Sequence, residues 1–515
     1  MDYLHFKEFG KGFIKTHKIS PDSFIQIALQ YTFLRLHGVP GAHYESAHTR
    51  LFVHGRTETI RSCSNDSVAF AKSMMESGTN EDRVEKLLAA IKAHKDYTML
   101  AMQGKGVDRH LLGLKLTAQE NNMKVPELFS DVGYVKSSHM RLSTSQVASK
   151  YEAYMCYGPL VDNGYGCCYN PREDDMLFGI SAFNSCPETS AKKFSVTLKE
   201  SLMDIIKMNW IAQKSITVLS NPSSRYLAAN SRNLSSFDRP VQGMLQAAVQ
   251  HRNSSSHGGK SLENPQNLPP LPVPSLKETL TRFLTTVQPH LNEEEFRRTR
   301  SIVDKFSQPG NDGETLQKLL EARAGLKSNW LAEWWLKTAY LGYRDPVVVW
   351  SSPGIVFPER TFSSERDRLS FAAKIITACL KFKAEIDNDR IPVEKFGKNE
   401  LDMQQYRKIF GTCRIPGREI DTIEFNPKSK HIVVLHQGNI YKVPVYGGSG
   451  QDQLLNEEEL IEQLQECVKA SLAETQKALF VLSLDDAVPR PSSYKTVTSH
   501  QVIHGGGSKQ NAGNR

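Results

Sequence analysis

Lys11, Lys15 and Lys18 crowd the stretch FGKGFIKTHKISPD, which runs into Ser20-Pro21-Asp22. A serine N-cap, a proline in the first helical position and an acid in the first turn predict a helix starting there. The free N–H groups of a helix start, with ammonium groups beside them, favour an anion such as phosphate. A solvated basic loop is the plainer reading of the same residues. In YESAHTRLFVHGRTETIRS the hydroxyls of Tyr44, Ser46, Thr49, Thr57, Thr59 and Ser62 alternate with Arg50, Arg56 and Arg61. Hydroxyls beside guanidinium groups suit a carboxylate or phosphate ligand, although an exposed polar strand would look alike. Farther on, Ser143-Thr144-Ser145-Gln146 offers donors for an oxyanion, and Tyr151, Tyr154 and Tyr157 offer π faces for a cation. An ordinary hairpin with alternating polar and aromatic residues accounts for that segment equally.

The elements that must position these groups read as mixed α/β over residues 1–213. Phe24, Ile25, Ala28, Leu29, Leu34 and Leu36 recur at helical spacing up to Gly38. Tyr151–Gly158 and Met176–Phe183 read as strands, with the turn Asp162-Asn163-Gly164 between them. Residues 214–267 are basic and rich in Ser and Asn, with Asp238 the one acid between Asp204 and Glu263, which predicts a linker. Over residues 268–515, LPPLPVPSLKETLTRFL leads into a helix, NWLAEWWLKTAYL is helical, and PVVVW reads as a buried strand. His431–His436 and Ile440–Val445 form a hairpin through Gln437-Gly438-Asn439, and the final HGGGSKQNAGNR has no core-forming pattern.

Composition narrows the class. The 515 residues are 39% hydrophobic and 23% charged, which excludes collagen, a disulfide scaffold and disorder throughout. Eight scattered cysteines, none in a C-x-x-C pair, read as reduced thiols of an intracellular compartment. No apolar run is long enough to span a membrane, and the start MDYLHFKEFG lacks a signal-peptide core. The net charge of +8 suits a polyanionic ligand, either nucleic acid or a phosphorylated small molecule.

Taken in order, FGKGFIKTHKISPDSFIQIALQ, YESAHTR, GRTETIRS, DRHLLGLK, LSTSQV and GYGCCYNP with ISAFNSCPETSA resemble the C-terminal half of the carnitine/choline acyltransferases. LPPLPVPSL, NWLAEWWLKTAYL, SSPG, FAAK, DTIEF and IVVLHQGNIYKVPVY resemble the N-terminal half. The resemblance implies two α/β domains, each with a mixed sheet and flanking helices, here truncated and in permuted order. It also implies reversible transfer of acetyl or other short acyl groups between coenzyme A and carnitine. Coenzyme A is then a substrate, with no permanently bound cofactor and no metal; nucleic acid drops out as a partner and a monomer is expected. Matched residue by residue, Lys11, Lys15, Asp22 and Gln146 correspond to coenzyme A contacts, and Lys95 stands where close relatives carry Arg. Tyr44, Ser46, Thr57, Ser143, Arg109 and Tyr157 correspond to carnitine contacts, with Arg109 opposite the carboxylate and Tyr157 near the trimethylammonium. Ser145 matches the oxyanion-side hydroxyl. Met155 stands where short-chain members keep a bulky side chain, so the acyl pocket is expected to be short. The family's catalytic histidine follows an acid, and none of the 16 histidines here does. The chain is therefore expected to turn over poorly, the alternative being an inactive coenzyme A- and carnitine-binding fragment from a fused or mispredicted gene. The resemblance implies a mitochondrial or peroxisomal setting, with the cytosol as the alternative because of the unleadered start.

Overall fold

The computed structural model describes residues 1–147, 149, 151–208, 268–345, 347, 353–356, 360–436, 439–447, 453–467 and 480–484. The expected linker over 214–267 and the C-terminal tail lie outside the described residues. So does the PVVVW run, apart from Val347, which is exposed rather than buried.

A six-stranded mixed sheet carries the first part of the chain, in the order β1-β7-β6-β4-β2-β3. These strands are β1 (Asp2–Phe6), β2 (His43–His48), β3 (Thr57–Ile60), β4 (Leu142–Gln146), β6 (Tyr165–Pro171) and β7 (Met176–Ser181). β2, β4 and β6 run parallel, and the other pairings are antiparallel. Alternation along each strand sorts the side chains onto two faces. On one face Phe6, Leu142, Tyr165, Cys167, Tyr169, Phe178 and Ile180 pack against four helices in a single core. The helices are α2 (Pro21–His37), α3 (Asn65–Met75), α4 (Asn80–Met102) and α7 (Ala191–Lys207). Preceding α2 is the short α1 (Lys11–Thr16).

α2 starts and stops where the sequence says it should. The Ser20 hydroxyl accepts the Ser23 N–H, Pro21 sits in the first turn, and Gly38 ends the helix at φ 68°, where a Cβ would be strained. Every residue from Ser23 to Leu34 is buried, so α2 is a central helix.

The strand expectation needs correction between 151 and 183. Its first strand shrinks to β5 (Tyr154–Cys156), and β6 lies between β5 and β7. β6 went unseen because YGCCYNP is buried on both faces and shows no alternation. β5 does not continue the large sheet; it pairs with β8 (Gly354–Val356) and lies across the second face. Two glycines permit that approach. A Cβ on Gly179 would stand 2.6 Å from the Met155 carbonyl oxygen, and one on Gly166 would stand 2.8 Å from that of Tyr157.

The Pro-rich lead and its helices, Leu276–Val287, Glu293–Ser307 and Asp312–Leu326, pack with α5 (Asp108–Glu120) and α6 (Val132–Ser138) in a second core centred on Phe283, Leu316, Leu320 and Trp330. NWLAEWWLKTAYL is helical over Ala332–Leu336 and continues as a π turn over Lys337–Leu341. A third core joins the helices Glu365–Asp387 and Glu457–Cys467 to the expected hairpin, whose strands are His431–His436 and Asn439–Pro444. All eight cysteines are free, and no described helix is long and apolar enough to cross a membrane.

Candidate active site

The sheet divides the candidate residues. Register places Tyr44 beside Ser143 and Ser46 beside Thr59, so Tyr44, Ser46, Thr57, Thr59, Ser143 and Ser145 share the face away from α2. Thr144 and Gln146 point the other way, with Gln146 beside Tyr169 on the helix-covered face. Ser143 is buried, Ser145 and Tyr44 are half-buried, and Ser46 is exposed. Tyr157 closes the hydroxyl face and donates its own hydroxyl to the Ser143 carbonyl at 2.8 Å. Burial holds that phenol well above its ordinary range, so it remains a donor. Met155 is half-buried on β5, next to this face. The three tyrosines do not form one cage. Tyr154 packs on Tyr3 with centroids 4.4 Å apart, Tyr151 is exposed, and only Tyr157 turns to the hydroxyls.

Arg109 enters from the open edge of the sheet. α5 abuts β3, and the guanidinium donates to the Thr57 carbonyl at 2.9 Å and, at 3.4 Å, to the hydroxyls of Thr57 and Thr59. Trp335 lies over it, 3.7 Å from guanidinium carbon to ring centroid. This tryptophan comes from the aromatic helix of the other half of the chain and was missed from sequence. Its i, i+1 neighbour Trp334 is buried in the core while Trp335 packs only partly buried at its edge, a difference helical phase alone could have suggested.

Two other arginines of the hydroxyl-rich segment are already paired within the fold, contrary to the expectation from composition. Arg61 forms a bidentate pair with Asp108 at 2.9 and 2.8 Å. Arg50 pairs with Glu394 and donates to the Asp402 carbonyl at 2.8 Å. Both are buried. Arg56 is exposed, with its guanidinium 5.5 Å from the Tyr340 ring.

On the helix-covered face Asp22 anchors a charged network that sequence reasoning also missed. Asp22 accepts from Tyr169, His94 Nε2 meets Glu45 at 2.7 Å, His94 Nδ1 meets Ser23 at 2.9 Å, and Ser62 donates to Glu45 at 2.9 Å. The ligand-type atoms of Asp22, Glu45 and His94 lie within 4.8 Å of one another, a spacing a cation would also accept. Burial and the neighbouring Glu45 push Asp22 up to about 7. Burial alone would lower His94, but Glu45 and Asp22 outweigh it and hold the imidazole above its usual value. Lys95 follows His94 on α4 and is exposed, as is Lys15, while Lys11 is half-buried on α1. His43, bonded to Gln30 and Thr144, is pushed down to about 3 by burial and His94.

These shifts predict a stability optimum. Burial holds His43 near 3, and His48, His110 and His290 near 4, so the fold keeps them neutral. Unfolding lets them protonate below about 6.5, and stability falls as pH drops through that window. Asp22 and Glu58 are raised to about 7 and His94 is raised as well. The fold therefore holds protons that the unfolded chain releases, and stability also falls as pH rises through about 7. Melting temperature across pH 4–9 is expected to peak between roughly pH 6 and 7; a steady rise beyond pH 8 would contradict it.

Comparison with known proteins bears on the same residues. The family model for choline/carnitine O-acyltransferases matches residues 1–200 and 271–476. The chain belongs to that family. A carnitine O-acetyltransferase of Columba livia is 47% identical over 213 residues, covering 41% of this chain and 34% of that protein. The Homo sapiens carnitine O-acetyltransferase is 38% identical over 289 residues, covering 48% and 46%. A choline O-acetyltransferase of Danio rerio is 47% identical over 207 residues, covering 40% and 32%. The chain thus spans about a third to a half of the curated choline/carnitine acyltransferases it matches. Both carnitine and choline enzymes are among these relatives, so family membership leaves the acceptor alcohol to be argued from the site.

Proposed function

We propose that this acyltransferase-family chain binds coenzyme A on the α1/α2 side of the sheet and carnitine on the hydroxyl face, with acetyl or another short chain as the acyl group. The buried Arg109 carries the choice of alcohol. Its guanidinium is aimed by Thr57, Thr59 and Trp335, and carnitine has a carboxylate to meet it while choline has none. In the transfer, a base removes the proton of the carnitine hydroxyl, the oxygen attacks the thioester carbonyl, and coenzyme A leaves as the thiol. Ser145 is proposed to donate to the tetrahedral oxyanion. Met155 is proposed to limit acyl length, and Tyr157 to face the trimethylammonium. Lys11, Lys15, Lys95, Asp22 and Gln146 are proposed as the coenzyme A side.

The weak point is the base. The buried histidines His43, His94 and His110 are each committed to hydrogen bonds within the fold. Loss of a general base costs about 10²–10⁴ in rate, so we infer a binding protein with impaired turnover, built from the two family halves in permuted order, monomeric and organellar. Calorimetric titration is expected to show binding of coenzyme A and of L-carnitine but weak binding of choline. Thiol release from acetyl-CoA with carnitine is expected to fall far below an ordinary enzymic rate. A normal turnover would overturn the impairment, and equal affinity for choline would overturn the carnitine reading.

A further inference from the structure

We propose that Glu58 is a positioning residue for Arg109: its buried carboxylate fixes the first turn of α5 so that the guanidinium faces a substrate carboxylate, and it takes up a proton when that carboxylate arrives. The inference rests on the carnitine reading above and adds a group that the family resemblance does not supply.

α5 begins after Val107 with no side-chain cap of its own. Glu58 takes that place from the neighbouring strand. Both of its carboxylate oxygens lie 3.3 Å from the Arg109 N–H, and one accepts the Thr59 N–H at 2.7 Å. The approach depends on Gly106, where a Cβ would stand 2.4 Å from the Glu58 carboxyl carbon. Glu58 is on the face of β3 opposite Thr57 and Thr59, so it holds the Arg109 backbone while the guanidinium reaches the hydroxyl side. Among the described residues, none of the ion pairs within 4.0 Å involves Arg109. Glu58 supplies the counter-charge that a buried guanidinium needs, yet it leaves the two terminal nitrogens with only the 3.4 Å hydroxyl contacts.

A ligand carboxylate arriving there puts two anions beside one cation in a buried space, and a buried like-charge pair is relieved by protonating one member. The groups facing Glu58 decide which. Arg109 and Asp108 face it from α5, and Asp108 is locked to Arg61. Tyr97 faces the same cluster from α4, with its phenol raised far above its usual range. Burial pushes Glu58 up to about 7, against the pull of Arg109. A small further rise is then enough to draw a proton from the buffer at neutral pH.

Titration of the 515-residue chain with L-carnitine at pH 7, in two buffers of different protonation enthalpy, is expected to show proton uptake; choline is expected to show none. Two substitutions should move in opposite directions. Glu58→Gln keeps an oxygen for the Arg109 N–H but carries no charge, so uptake disappears and carnitine affinity at pH 8 rises several-fold. Glu58→Ala leaves that N–H unpaired, so carnitine affinity falls by about tenfold or more. It should also quicken amide exchange in the first turn of α5 and leave coenzyme A affinity unchanged. Parallel losses in both variants, or proton uptake persisting in Glu58→Gln, would overturn the proposal. A wild-type chain that binds coenzyme A but no carnitine overturns the carnitine reading and the proton uptake with it. Unchanged exchange in Glu58→Ala then separately overturns the hold on α5.

Discussion

Arg109→Ala is expected to lower carnitine affinity by about 100-fold while leaving coenzyme A affinity intact. Truncating one partner of a buried, hydrogen-bonded charge pair typically costs about 2–5 kcal/mol, and 100-fold is near 2.7 kcal/mol. The expected loss falls in the lower half of that range. The guanidinium is buried and stacked on Trp335 and so is preorganised for a carboxylate. Its loss leaves Thr57 and Thr59 as the remaining donors on that side, and hydroxyls hold a carboxylate less tightly than a charged fork does. Choline affinity, by contrast, is expected to stay level or improve. Titration of wild type and variant with the three ligands checks this: a drop confined to carnitine supports the assignment, and equal drops for carnitine and choline contradict it.

Arg50→Ala is expected to destabilise the chain by about 3–5 kcal/mol, the usual range when one member of a buried ion pair is removed. Arg50 joins the segment after β2 to residues more than 340 positions away. It pairs with Glu394, donates to the Asp402 carbonyl, and its own carbonyl accepts the Asp402 N–H at 2.7 Å. Asp402 in turn accepts the His54 N–H at 2.9 Å. The turn leading to Thr57 is thus held from the far part of the chain, and the alanine variant should weaken carnitine binding as well. Replacing both partners together, Arg50→Met with Glu394→Leu, should cost much less, since no charge is left buried and unpaired. Urea midpoints of the two variants separate these effects. Equal destabilisation would place the effect in packing and not in charge.

How much was legible beforehand follows the range of the interactions. Ser20 and Gly38 bound α2 through hydrogen bonds that span four residues or fewer, so the sequence carries that helix openly. The pairing of His431–His436 with Asn439–Pro444 was readable for the same reason, because its register depends on strands adjacent in sequence. β6 was not, because a strand buried on both faces loses the alternation that marks a strand. The motif resemblance pointed to Arg109, Thr57 and Tyr157, and it could not say that Arg50 and Arg61 are already paired. Their partners, Glu394 and Asp108, lie 344 and 47 residues away.

The sequence by itself determined the family and the local caps and turns. Each of these is written in contiguous motifs. Only the tertiary structure decided that Arg50 and Arg61 are already paired, which tryptophan lies over Arg109, and which buried acid accepts its backbone N–H. Those outcomes depend on groups brought together from distant parts of the chain and deprived of water, and burial is what turns an ordinary Glu58 or Asp22 into a group that titrates near neutrality.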